Sequence, residues 1–365
     1  MKNVREFTDL KGKKVLLRAD FDVPVSEKGE IQEPFRIKKQ KEMLGWLTAR
    51  GARVVMAAHI ASVKSFAGLV PQLHMLLGAE FNFLKSIEEI PAWQNGSGSV
   101  ALLENVRQNE GEEKNDPGFA ARLAGGFDLY VDNAFAVAHR NHASVSAIAA
   151  FLPSFAGLLL ESEIKELSGV VDAPATGKVI VMGGAKASTK VPVIKHLIDV
   201  SEKILVGGVI ANDILKEKGQ DMGSSVVDAD AHELLAGLDL NDSRLVIPSD
   251  FIVFDNKILD IGDATMRAYM ANIESAKLIV WNGPMGLFEN KAFARGTEVI
   301  AEAIAKSSAR KIVGGGDTVS ALGQFSLLDA FLNNAAAFVS TGGGAMLAFL
   351  AGEQLPALKA LGYYD

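Results

Sequence analysis

The chain has 365 residues, 48% of them hydrophobic and 22% charged, with a net charge of −7 and no cysteine. That composition excludes disulfides, thiolate catalysis and cysteine–zinc sites, and the acidic balance argues against a general nucleic-acid or membrane-surface binder. The N-terminal stretch MKNVREFTDLKGKK lacks the apolar core of a secretory leader, and no run reaches the roughly 18 apolar residues of a membrane span, so a cytoplasmic protein is expected. Length predicts two or three domains with large cores.

The first predicted strand, Lys14 to Ala19, runs straight into Asp20-Phe21-Asp22-Val23-Pro24. Acidic residues at a strand end, stopped by a proline, mark the edge where open α/β sheets bind ligands. A polar turn leads to Arg36 and a helical segment through Arg50, ended by Gly51. RVVMAAH is a strand ending in His59. Residues 66 to 79 read as a helix, residues 80 to 84 as a short strand and residues 94 to 99 as a polar loop. SVALLENVR is a strand with Glu104, Asn105 and Arg107 at its end. The stretch QNEGEEKNDP reads as a surface loop, followed by a short helix with Phe119, Ala120 and Leu123. A strand from Leu129 to Val131 then opens a loop with Asp132, Asn133, His139, Arg140 and His142. Taken singly, Arg36, His59, Arg107 and Arg140 are as readable as unrelated surface cations. Taken together near successive strand ends, they suit a phosphorylated carboxylic acid.

A helical stretch, LLLESEIKEL, and a turn-rich break at residues 172 to 178 mark the domain boundary. The second half repeats one device. The apolar runs VIVMGG, KILVGG, LIVWNG, KIVGGG and FVSTGGG all end in glycine, and helical spacing mostly follows them. Strands alternating with helices predict a parallel, doubly wound sheet with these turns on one edge. The turn Gly183 to Lys190 adds two lysines, Lys186 and Lys190, at a predicted helix start with Pro192 in its first turn. Glycines let backbone N–H groups approach an anion, and a helix N-terminus favours negative charge, so a nucleotide site is the leading reading. The spacing fits neither a P-loop nor G-x-G-x-x-G. Asp317 is either an N-cap or, beside phosphates, a Mg²⁺ ligand. Glu289 is either a ribose partner or a plain surface glutamate.

The motifs RADFDVP, LLENVR, EEKNDP, AHRNHAS, GGAKASTK, WNGPMGLFE, GGGDT and STGGGA, in this order, resemble those of the phosphoglycerate kinase family over nearly the whole chain. The resemblance implies an α/β protein with two Rossmann-like, doubly wound parallel-sheet domains. It divides the chain into a phosphoglycerate-binding domain at 1–155, an interdomain helix at 156–172, a nucleotide-binding domain at 173–345 and a C-terminal segment at 346–365 returning towards the first domain. The implied reaction moves a phosphoryl group between 1,3-bisphosphoglycerate and ADP by hinge-bending closure, with Mg²⁺ accompanying ATP or ADP. By resemblance, Asp20, Asp22, Arg36, His59, Arg107 and Arg140 fall on acid-binding positions. Lys186, Lys190, Gly207, Gly208, Asn282, Glu289, Gly315, Gly316, Asp317 and Thr318 fall on nucleotide positions, with Asp317 at the metal. Arg36, Lys190 and the backbone of Gly316, Gly343 and Gly344 are the implied catalytic groups. The family is also usually monomeric, and neither nucleic acid nor membrane is an expected partner.

The chain departs from the family pattern in places. Ser62 stands where an arginine is usual, in AHIASV, and Asp22 where an asparagine is usual. Val209 replaces a third glycine in GGVIA, and Asp263 a proline in DIGD, a change expected to affect base or ribose contacts. An added anion and a lost cation weaken the hold on a phosphate, with Lys64 a partial substitute. Three readings follow: the family's kinase with lowered acid affinity, a kinase of the same mechanism for another carboxylate or nucleotide, or a feeble nucleotide-binding protein. Retention of Arg36 and Lys190 weighs against the last.

Overall fold

The computed structural model describes residues 1–365, which form two compact units, Met1–Ile164 with Gln354–Asp365, and Lys165–Glu353. The first unit holds strands β1 (Lys14–Arg18), β2 (Arg53–Ala57), β3 (Asn82–Leu84), β4 (Val100–Leu103), β5 (Leu129–Asp132) and β6 (Ser154–Ala156). They form one sheet in the order β3-β4-β2-β1-β5-β6, and every pairing is parallel. Side chains alternate between its faces. Val15, Leu17, Val54 and Met56 enter one core, while Leu16, Val55, Ala101 and Tyr130 enter another. Both faces are therefore covered, which explains why these strands read as continuous apolar runs rather than as alternating ones. The helix Phe35–Ala49 lies between β1 and β2, and the chain leaves it through Gly51 at φ +77°, a backbone region that suits glycine. The last residues belong to this unit: Ala357 N donates to Ala138 O, and the N-terminal ammonium to Gly362 O.

The second unit holds β7 (Lys178–Met182), β8 (Lys203–Val206), β9 (Leu245–Val246), β10 (Phe251–Phe254), β11 (Lys257–Ile261), β12 (Leu278–Asn282), β13 (Arg310–Gly314) and β14 (Ala337–Val339). Its main sheet has the order β14-β13-β12-β7-β8-β9, all parallel, so the turns after β7, β8, β12, β13 and β14 share one edge. Strands β10 and β11 form a separate antiparallel hairpin whose turn residues, Asp255 and Asn256, both have positive φ. That is the backbone a tight two-residue hairpin turn demands.

Several elements differ from the sequence expectation. Residues 67–69 are a 3₁₀ turn before the helix Val70–Leu77, with Pro71 in its first turn. Gln94 and Asn95 form the last part of a short helix, Ile90–Asn95, rather than opening a loop. Strand β6 and the β10–β11 hairpin were not anticipated. The expected surface loop at residues 108–117 contains a helical turn, Glu110–Glu113, whose Glu112 is wholly buried. Its carboxylate accepts from Ser144 N at 2.9 Å and Ser144 Oγ at 2.6 Å, so this acid-rich segment is pinned inward by one residue.

Candidate functional site

In the first unit the sheet's carboxyl edge gathers charge. Asp20 follows β1 and is fully buried. Its Oδ1 accepts from Asp22 N at 3.2 Å, and its Oδ2 has no hydrogen-bond partner. Arg36, in the first turn of its helix, lies with Nε 3.8 Å from that free oxygen and donates through Nη1 to Asp22 O at 2.7 Å. Burial pushes the Asp20 carboxyl up, and the Arg36 guanidinium pulls it back.

His59, just beyond β2, is 1% exposed. Arg18 Nη2 lies 3.2 Å from its Nδ1. A guanidinium only donates, so Nδ1 accepts, and the neutral ring carries its proton on Nε2. Burial, then the fields of Arg18, Arg107, His142 and Arg36, hold the ring neutral by lowering its pKa to about 2. Nε2 has no hydrogen-bond partner, and the Asp22 carboxylate faces it at 3.6 Å.

Arg107 Nε lies 3.4 Å from Glu113 Oε1 without forming a hydrogen bond. Arg140 is exposed. It adjoins His139, whose pKa is depressed to about 4 by burial first and then by Arg140 and His142. The structure thus brings Asp20, Asp22, Arg36 and His59 together, with Arg107 within reach of His59 electrostatically, whereas Arg140 shows its field at His139.

Arg18 was missed by sequence reasoning. It is 1% exposed and donates to Ser144 Oγ at 2.8 Å and to Ala19 O at 2.6 Å while setting the His59 tautomer. The available signal was a charge inside an apolar strand, because such a residue is almost never buried unless partnered. Glu104 and Asn105 build the loop after His59. Asn105 Nδ2 donates to Ile60 O and Val63 O, each at 2.9 Å, and Glu104 accepts from Phe66 N at 2.7 Å and Ser65 Oγ at 2.5 Å. Ser62 and Lys64 sit exposed on that loop.

In the second unit the glycine turns crowd one another. A Cβ on Gly183 would collide with Pro284 O, and one on Gly208 would come within 2.6 Å of Gly184 O. Three helices, Gly208–Glu217, Gly316–Gln324 and Gly343–Leu350, start at this edge, each behind a glycine cap with no side-chain hydrogen bond. Gly343 packs on Gly315, a Cβ there lying 3.0 Å from Gly315 Cα, so two of these N-termini adjoin. The first N–H groups of the helices at Gly316 and Gly343 are left for an anion, whereas at the third helix Gly208 N donates to Met285 O and Val209 N to Gly184 O, each at 3.0 Å. Asn282 and Thr318 are buried scaffold: Asn282 Nδ2 donates to Gly314 O at 2.9 Å, and Thr318 Oγ1 accepts from Gly283 N at 2.7 Å. Gly315 takes φ +103° between them.

Lys190 is 7% exposed, with Nζ set over Gly184. Burial lowers its pKa, Asp317 opposes this, and Lys186 adds to it. Lys186 and Asp317 are exposed. A cavity of about 210 Å³ opens beside these turns. Val226, Phe251, Ile258, Met285 and Leu287 give it apolar walls, and Gly184, Gly208, Glu289 and Asp317 line it as well. An apolar slot with a few polar groups at its margin is the usual form of a nucleotide-sized site. Val209 lines the slot. Asp263 does not, and instead lies 3.5 Å from Arg295. No group of three or more His, Asp or Glu side chains is placed to hold a metal on protein ligands alone.

A family model described as phosphoglycerate kinase matches residues 4–353. The phosphoglycerate kinase of Rubrobacter xylanophilus is 39% identical over 393 residues, covering 99% of this chain and 98% of that one. That of Moorella thermoacetica is 38% identical over 387 residues, covering 97% of each. Among solved structures, phosphoglycerate kinase from Coxiella burnetii aligns with a TM-score of 0.82 at 34% identity, covering 97% of both chains. The enzyme from Pyrococcus horikoshii OT3 aligns with a TM-score of 0.86 at 28% identity, covering 99% of this chain and 98% of that one. Sequence and fold agree from end to end, and the chain belongs to the phosphoglycerate kinase family of ATP- and ADP-using phosphotransferases.

Proposed function

We propose that the chain catalyses reversible phosphoryl transfer between 1,3-bisphosphoglycerate with ADP and 3-phosphoglycerate with ATP, as a cytoplasmic monomer. The observation that carries this is the pair of glycine-headed, uncapped helix N-termini at Gly316 and Gly343 on one sheet edge, beside a buried Lys190. Such an edge binds a polyphosphate through backbone N–H groups and one fixed cation. The slot lined by Val226, Phe251 and Leu287 takes the base, and Glu289 at its margin suits a ribose hydroxyl.

Mg²⁺ arrives with the nucleotide. A hard cation held by phosphate oxygens needs only one or two carboxylates from the protein, which fits the lone exposed Asp317 at a helix start. Bound there, it would neutralise phosphate charge. The acid binds in the basin of Asp20, Arg36, His59 and Arg107, with Arg140 at its margin. Phosphoryl transfer needs positioning and charge neutralisation more than covalent help. Arg36 and Lys190 offset the charge on the transferred group, and the N–H groups of Gly316, Gly343 and Gly344 add fixed dipoles. No general base is needed, because a carboxylate acceptor is already ionised at neutral pH.

A second reading, a kinase for a less highly charged acid, draws on one observation. The Asp22 carboxylate stands in the basin itself, beside His59. A coupled assay with MgATP and a panel of phosphorylated and plain hydroxy acids separates the two. Turnover that is best with 3-phosphoglycerate supports the first, and preference for an unphosphorylated acid supports the second.

A further inference from the structure

Asp22 holds one donor and faces a second. Its Oδ1 accepts from Ala61 N at 2.8 Å, and its Oδ2 lies 3.6 Å from His59 Nε2, the atom that carries the ring proton. The side chain is 34% exposed, so it borders the open part of the basin. Around it stand Arg36, whose Nη1 donates to Asp22 O, and His59, which feels Arg18, Arg107 and His142. This carboxylate therefore takes up one donor, Ala61 N, and confronts a second, His59 Nε2, that an anionic ligand would otherwise use.

We propose that Asp22 is a specificity-determining residue, a resident carboxylate that competes with the ligand's phosphate and penalises charge on the acid. This rests on reading the basin as the acid site. An asparagine at 22 would keep the Ala61 hydrogen bond through its own Oδ1. What only the carboxylate supplies is a full negative charge and an acceptor facing His59. The substitution Asp22→Asn thus separates charge from loop support.

The test is equilibrium binding by calorimetry to the full chain and to Asp22→Asn, using 3-phosphoglycerate, glycerate and MgADP. Two like charges a few ångströms apart in a half-buried site repel by enough to shift affinity at least about tenfold. We expect Asp22→Asn to bind 3-phosphoglycerate at least about tenfold more tightly. Glycerate should gain less than about threefold, and MgADP should be unchanged. Raising salt should narrow the gap between the two proteins, since partly exposed charges are screened. Asp22→Ser, which removes the charge without adding an amide, should move affinity for 3-phosphoglycerate the same way.

Equal affinity of parent and Asp22→Asn for 3-phosphoglycerate overturns the proposal and leaves the kinase reading intact. An equal gain for both acids also overturns it, because the effect would then not depend on ligand charge. If neither protein binds 3-phosphoglycerate while both bind MgADP, the acid-site reading falls, and this inference with it.

Discussion

Replacing Arg36 with alanine removes one side chain and disturbs two balances. Arg36 Nε lies 3.8 Å from Asp20 Oδ2, an oxygen with no hydrogen-bond partner on a fully buried residue. Arg36 is the largest of the influences that lower the Asp20 pKa against burial. Without it, a buried carboxylate is left without its cation, which costs about 1–3 kcal/mol. For a unit of this size that is roughly 2–12 °C in melting temperature. The sign with pH is fixed. A carboxyl whose folded pKa lies above its unfolded value binds more protons when folded, so its contribution falls as pH rises from about 4 through the folded pKa. Arg36→Ala raises that folded pKa further, so its stability deficit should be larger at pH 7 than at pH 4. Thermal unfolding at the two pH values, followed by circular dichroism, reads this out. In turnover, loss of an arginine that neutralises a transferred phosphoryl group costs about 10³- to 10⁵-fold, while MgADP binding should persist. Turnover within tenfold of the parent, or an equal loss of MgADP affinity, would refute the reasoning.

Other consequences are narrower. Lys190→Met should keep the fold, because the site is apolar enough to lower the lysine's pKa, yet should lose at least about a hundredfold in turnover; an unchanged rate would remove Lys190 from the chemistry. Gly183→Ala should destabilise the Lys165–Glu353 unit by at least about 1–3 kcal/mol, because the Cβ meets the Pro284 carbonyl, a backbone atom that cannot swing aside. Denaturant unfolding with an unchanged midpoint would contradict the packing described. The His59 ring should show no NMR titration between pH 5 and 8. Its folded pKa lies below the unfolded value near 6.5, so its stabilising effect is present above that pH and fades as pH falls through it. A His59 titration centred above pH 6 would contradict the burial and the tautomer together.

The glycine-ended strands were legible because two local signals coincide: unbroken apolar runs that only a doubly covered parallel strand needs, and glycines where neighbouring backbones touch. Gly183 meets Pro284, Gly208 meets Gly184 and Gly283 meets Gly183 across turns, and no larger residue fits there. Arg36 and Lys190 were legible as cations at predicted helix starts, and His59 as a polar residue ending an apolar strand. Arg18, Glu112 and Ser144 were not. Their hydrogen bonds join residues 32 and 126 positions apart, and an acid-rich stretch gives no local sign that its second glutamate turns inward. The exposed Val253 and Phe254 mark a hairpin whose strands lack one buried face, which left no periodic pattern to read. Asp22 could be named as a departure from the family pattern. That its carboxylate sits on Ala61 N and opposite His59 is a property of the folded loop alone.

The most direct test of the account is a steady-state assay with MgATP and varied 3-phosphoglycerate, coupled to consumption of the acyl phosphate. The account calls for saturable turnover, with a raised KM for the acid that falls in Asp22→Asn. Absence of turnover in protein that still binds MgADP would contradict it.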